Sequence, residues 1–395
     1  MILRFATLAV FTLSVCLAAD TIAVLPLFNK DQEKSRNLDW IGEALSETLR
    51  ESLGSNKLLV ITREDREEVY RRMSVRAEAV LTRATVIKVG ETLDAAQVVF
   101  GDFHVDGAEY GATNTKSTLR ISLRVIDLSR YKQSASIEQS GPLDSLNQMG
   151  HHLAYLVLKQ LEPSIALTEE AFLADRPAIR TEAAESYIRG LLSTVPEQKS
   201  KLFSQAARLD EHFSQPNFQM GRMLFVKKDY KTAATWLAKV TKSDSHYLEA
   251  QYQLGICKYY SGDFDGAAAD FRLVAAEIPL NEVLNNLGAA LSRKNDPTAI
   301  EWFNKAFDGD QSDPDYWFNV GYSLWKASKF REAAEKFRAV LDRTPDDAEA
   351  TTMLGRCIKM DTPRPGDVRT DGRERIKTAF EDSAFRQLEA QIKKR

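Results

Sequence analysis

The apolar positions of this chain follow two different periods. Between residues 20 and 163, short apolar runs alternate with helical stretches. TIAVLPLF at 21–28 and LLVIT at 58–62 read as buried strands, because they are short, continuous and rich in branched residues. Trp40, Ile41, Leu45, Leu49 and Leu53 recur at helical spacing within 37–54, and further helices are predicted over 65–73 and 84–93. A strand follows at 98–105. TLRISLRV at 118–125 alternates, placing Leu119, Ile121, Leu123 and Val125 on one face. Residues 134–139 pair with it as a hairpin, and 143–161 form a long amphipathic helix. The order βαβα(α)βββα predicts a layered α/β arrangement of the α+β class.

The second half is all-α and repeats. Gly221, Gly255, Gly288, Gly321 and Gly355 recur at intervals of 34, 33, 33 and 34. Large apolar residues precede them. Ala233, Ala267 and Ala333 follow twelve residues later, with Ala299 one residue early, and Leu237, Phe271, Phe303 and Phe337 come four after each alanine. Pro279, Pro314 and Pro345 fall near unit ends and stop helices. Glycine inside a helix costs about 1 kcal/mol relative to alanine. Close approach of two packed helices is the compensation expected at these positions. Full units are assigned to 214–247, 248–280, 281–313 and 314–347, with a degenerate unit at 183–213 and a partial one at 348–360.

This pattern resembles the tetratricopeptide repeat, a helix–turn–helix unit that buries its apolar face only by stacking on neighbours. The resemblance implies an all-α solenoid over 183–360. It also implies that the first helix of each unit lines a concave groove that binds protein or peptide. The groove positions are Phe218, Arg222 and Phe225; Tyr252, Ile256 and Tyr259; Asn285, Ala289 and Ser292; Phe318, Tyr322 and Trp325; and Thr352 and Arg356. Aromatics and arginine are enriched at binding hot spots. The lysine–asparagine clamp that some family members use on carboxyl-terminal peptides is replaced here by Phe218 and Arg222.

The ends of the chain read differently. Arg4, the apolar run Phe5–Leu17 and Ala18-Ala19 have the layout of a secretory signal peptide over 1–19, cut after Ala18 or Ala19. Cys16 is a poor lipidation site, because Val15 precedes it. Residues 164–182 are a linker. Residues 361–395 are a loop followed by a helix from 373, with Ile376, Phe380, Leu388 and Ile392 at multiples of four. That helix is expected to cap the last repeat. Its basic end, Lys393, Lys394 and Arg395, leaves peripheral membrane contact open.

Composition narrows the function. A formal net charge of −3 argues against nucleic acid, whose binding domains are usually basic. Cys257 and Cys357 sit in units too far apart to meet, so they are expected as buried free thiols. His104, His151, His152, His212 and His246 lack the spacing of a metal motif. No phosphate loop, dinucleotide fingerprint or nucleophile elbow occurs. No enzyme activity, metal or cofactor is expected.

The motifs IAVLPLFNK, WIGEALSETL, LLVITRED and VGETLDAAQVVFGDF resemble the amino-terminal domain of TolB and related CsgG/FlgO-type domains. This resemblance covers 20–163 and implies a non-catalytic role in the bacterial envelope. No propeller follows and the long membrane hairpins of CsgG are missing, which weakens a Tol–Pal or pore role. The expected function is an exported scaffold that holds a peptide or helix in the aromatic groove. The alternative is a structural part of an outer-membrane assembly that oligomerises through the first domain.

Overall fold

The structure is a computed structural model. It describes residues 21–56, 58–76, 79–106, 117–174, 176, 178–364, 367, 369–380, 385 and 388. The expected signal peptide and Cys16 lie outside the described residues, as do Ile392 and the basic end. Among the described residues, no helix is long and apolar enough to cross a membrane.

The first region is a twisted sheet with helices on both faces. Its strands are β1 (Thr21–Val24), β2 (Phe28–Asn29), β3 (Leu59–Val60), β4 (Gln97–Asp106), β5 (Thr118–Asp127), β6 (Lys132–Gln133) and β7 (Ile137–Pro142). The strand order is β3-β1-β4-β5-β6, with β2 beside β4 and β7 beside β5. β1 runs parallel to β3 and β4, while β5 is antiparallel to β4 and β7. Alternation sorts the strand side chains between two cores. Ile22, Val24, Val99, Phe103, Leu119, Ile121, Leu123 and Val125 pack under α2 (Trp40–Gly54), which follows the single turn α1 (Gln32–Ser35). Ala23, Leu25, Val98 and Ile126 face the other way, onto α3 (Arg63–Arg72) and α4 (Arg83–Thr92). α5 (Leu146–Leu161) closes the first face beside α2, and the short α6 (Glu169–Ala174) follows.

The remainder is helical. α7 (Thr181–Leu192) and α8 (Pro196–Leu209) precede four helix pairs: α9 (Gln215–Val226) with α10 (Tyr230–Leu237), α11 (Tyr247–Tyr260) with α12 (Phe264–Glu277), α13 (Asn281–Arg293) with α14 (Ala299–Gly309), and α15 (Pro314–Lys326) with α16 (Phe330–Arg343). α17 (Ala348–Ile358) is a first helix with no second helix paired to it among the described residues.

The glycines mark where paired helices meet. A Cβ built on Gly255 would stand 2.8 Å from the Phe271 ring, one on Gly288 2.8 Å from Phe303, and one on Gly221 2.6 Å from Leu237. A Cβ on Gly355 would meet nothing within 4 Å among the described residues. Ala233, Ala267, Ala299 and Ala333 are buried. Each first helix ends on a left-handed residue: Lys228, Gly262, Asn295, Ser328 and Met360, with φ of 60°, 83°, 56°, 59° and 52°. Asp229 and Asp263 then cap the second helices of their pairs by accepting from backbone N–H groups.

The two regions share a core. Tyr187, Phe203, Phe213 and Met220 belong to the same apolar cluster as α2 and α5. Arg222 Nη1 lies 3.7 Å from Glu64 Oε1, and Arg189 donates to the Asn37 carbonyl at 2.8 Å.

Residues 373–377 correct the expected tail helix: they form no helix, and the main chain of 375 and 377 bonds to side chains of the repeats. The four-residue apolar spacing there is coincidental with helix, because the main chain bonds to the repeats instead of to itself. Phe385 and Leu388 are helical.

Candidate peptide-binding site

The site is built on the faces of α11, α13, α15 and α17, and the chain's own residues 370–380 lie across it. They run opposite to the order of the repeats. Trp325 Nε1 donates to the Asp361 carbonyl at 2.8 Å, and Tyr322 Oη donates to the Thr370 carbonyl at 2.6 Å. Further along, Asn319 holds residue 375 by both main-chain groups. Its Nδ2 donates to the Arg375 carbonyl at 2.7 Å, and its Oδ1 accepts from the Arg375 N–H at 2.8 Å. Asn286 holds residue 377 in the same way, at 2.7 and 2.8 Å. Two amide pincers grip residues two apart, which is the repeat of an extended strand.

Neighbouring groups position the pincers. Asn285 donates to the Arg375 carbonyl at 2.8 Å and accepts from Asn319 Nδ2 at 2.7 Å. Tyr252 Oη donates to the Lys377 carbonyl at 2.7 Å. Asn285, Asn286 and Asn319 are fully buried, so each amide needs these partners. Burial pushes the Tyr252 hydroxyl well above its ordinary pKa, which keeps it a donor.

Side chains add a charge pattern. The Arg375 guanidinium lies 2.8 Å from Asp347, 3.2 Å from Asp315 and 3.5 Å from Glu349, and 3.8 Å over the Phe318 ring. Lys377 Nζ is 2.7 Å from Asp313 and 2.6 Å from Asp315. Burial opposes its charge, but hydrogen bonds to these two carboxylates outweigh it and raise its pKa. Phe380 packs edge-on against Tyr252 at 4.9 Å. A cavity of about 620 Å³ remains beside the strand, lined by Tyr259, Phe264, Arg293, Glu374 and Ile376 among others.

The residues expected in the groove therefore divide. Tyr252, Asn285, Ser292, Phe318, Tyr322 and Trp325 contact residues 361–377. Ile256 and Ala289 are buried in the same core, and Tyr259 borders the cavity. Arg356 pairs with Asp361 at 2.7 Å, and Thr352 is exposed. Phe218, Arg222 and Phe225 belong elsewhere. Phe218 stacks on His246 at 4.5 Å, Arg222 faces Glu64 of α3, and Phe225 packs on Tyr230. Sequence reasoning missed Asn286 and Asn319. The available signal was an asparagine at the same register of two successive first helices, two residues before the motif glycine.

Cys257 and Cys357 are buried free thiols, and burial raises their pKa values to about 12 and about 11. Glu51, Asp244 and His246 bring ligand-type atoms within 4.8 Å of one another. Burial disfavours a charged imidazole, yet Glu51 and Asp244 outweigh it and raise the His246 pKa to about 9. These groups form an ion-pair cluster between α2 and the start of α11, with His246 Nδ1 3.3 Å from Asp244 and 3.8 Å from Glu51. His151 shows the opposite balance: burial and Arg176 lower its pKa to about 4, and its Nδ1 lies 3.0 Å from Ser52 Oγ.

Residues 252–314 and 319–358 match the family model described as tetratricopeptide repeat. The chain thus carries tetratricopeptide repeats. No curated protein matches it. Among solved structures it is similar to YrrB, described as a TPR protein with an unusual peptide-binding site, at 20% identity over 40% of this chain and 84% of that one, with a TM-score of 0.35. It is also similar to MamA (41-end) from Desulfovibrio magneticus RS-1, at 24% identity over 43% and 99%, with a TM-score of 0.38. Pseudomonas aeruginosa PilF aligns at 17% identity over 45% and 83%, with a TM-score of 0.37.

Proposed function

We propose that this chain is a non-enzymatic protein–protein interaction scaffold whose repeats bind an extended peptide segment. The carrying observation is the pair of amide pincers, Asn286 and Asn319. Each grips both main-chain groups of one residue in a strand that lies across the first helices. Main-chain capture supplies affinity whatever the side chains, and pockets for alternate residues supply selectivity. The double variant Asn286→Ala/Asn319→Ala should lose a captured partner that the wild type and an exposed-face variant, Lys239→Ala, both retain, with helicity unchanged. Equal retention by all three sinks the assignment.

The setting we favour is export to the bacterial envelope. It rests on the amino-terminal Arg4–Ala19 pattern and on the TolB/CsgG-type motifs of residues 20–163. Amino-terminal sequencing of the protein from its native host is expected to begin at Ala19 or Asp20. A retained Met1 overturns the export reading.

A further inference from the structure

The strand across the repeats is an imperfect ligand. Its two basic residues are well matched, Arg375 to Asp315, Asp347 and Glu349, and Lys377 to Asp313 and Asp315. The residue before them is not. The Glu374 side chain has no exposed area; one oxygen accepts from Ser292 Oγ at 2.6 Å, with Lys326 Nζ at 3.9 Å. Its other oxygen, Oε2, has no hydrogen-bond partner among the described residues. Leaving a buried carboxylate oxygen unmet is costly. The site is thus acidic where residues 375 and 377 sit, and it takes a carboxylate at 374 only at a penalty.

We propose that residues 370–380 are a built-in pseudo-ligand, displaced by a partner segment of the same pattern: an extended chain with Arg or Lys at two positions two apart, a neutral hydrogen-bonding side chain just before them, and an aromatic three residues after. This rests on the peptide-binding reading above and adds what the groove selects and what competes for it. The selectivity follows from the contacts. Asp313, Asp315, Asp347 and Glu349 repel an acidic strand, Ser292 Oγ offers a donor to an amide oxygen, and Tyr252 offers an aromatic edge to the residue in the Phe380 place. The tail meets every requirement except the one at Glu374.

The test uses the full chain and a fluorescent peptide with the sequence of residues 369–380 carrying glutamine in place of Glu374. Anisotropy is measured on the wild type, on Arg375→Glu/Lys377→Glu and on Glu374→Gln. The charge-reversed tail should bind the peptide about tenfold or more tighter than wild type, the scale of losing paired charges at an interface. Glu374→Gln, whose own tail is improved, should bind it several-fold more weakly. Adding Asn286→Ala/Asn319→Ala to the charge-reversed chain should abolish binding. Equal affinity in all three chains overturns the pseudo-ligand but leaves peptide binding standing. No binding by any of them, with helicity and melting unchanged, overturns both. Should the charge-reversed chain fail to fold, the ordering of wild type and Glu374→Gln decides alone.

Discussion

At the residue scale, one glycine motif serves two environments. Gly255 and Gly288 lie under aromatic rings, whereas a Cβ on Gly355 would meet nothing within 4 Å among the described residues. Alanine at Gly255 or Gly288 overpacks the helix pair and should destabilise the protein by about 1–3 kcal/mol in denaturant titration. Alanine at Gly355 meets nothing and should be neutral or stabilising by up to ~1 kcal/mol, the ordinary helix preference. Identical effects at all three sites would refute the close-packing account. These positions were legible in the sequence because steric need repeats with the unit. The different surroundings of Gly355 among the described residues were not, since they depend on what packs on α17.

At the element scale, what the sequence reveals depends on which partner an element satisfies. The strands and helices of residues 21–161 were readable because each buries its own stripe. LLVIT shows the limit: only Leu59–Val60 is strand, since β1 alone pairs with that edge. Residues 373–380 were misread because Ile376 and Phe380 suit a helix as well as a docked strand. The choice lies in Asn286 and Asn319, nearly a hundred and some sixty residues upstream, so no local pattern could express it. Exchange of the amide hydrogens tests this element directly. In Asn319→Ala the Arg375 N–H loses its acceptor, and its exchange should quicken about tenfold or more, since an unmet buried group costs ~1–3 kcal/mol. Protection of α16 should stay as it was. If the Arg375 amide keeps its protection, the pincer does not hold the strand.

At the scale of the whole molecule, His246 joins the two regions. Glu51 lies on α2, Asp244 precedes α11, and Ser245 Oγ also donates to Glu51. The folded-state pKa of His246, about 9, stands above its ordinary 6.5. Its stabilisation is therefore complete below about pH 6.5 and is lost as the pH rises through about 9. Melting temperature should fall over that window in the wild type and fall less in His246→Gln. Parallel curves would show that the ion pair contributes nothing. The acidic companion, Asp244, has a lowered pKa: burial alone would raise it, and its bonds to His246 and Ser214 outweigh burial. Its contribution is present above the ordinary carboxylate range and is lost as the pH falls through the lowered value, at acid pH.

The path from Ile358, where α17 ends, to Thr370 has a consequence for any partner. A short tether keeps its ligand at an effective concentration in the millimolar range. A free segment of equal quality therefore competes with millimolar tail wherever it meets the protein. Apparent affinity falls in proportion to the fraction of molecules with an open groove. Weak segments that share the basic pattern by accident are screened out, and the unmet oxygen of Glu374 sets how high that threshold stands.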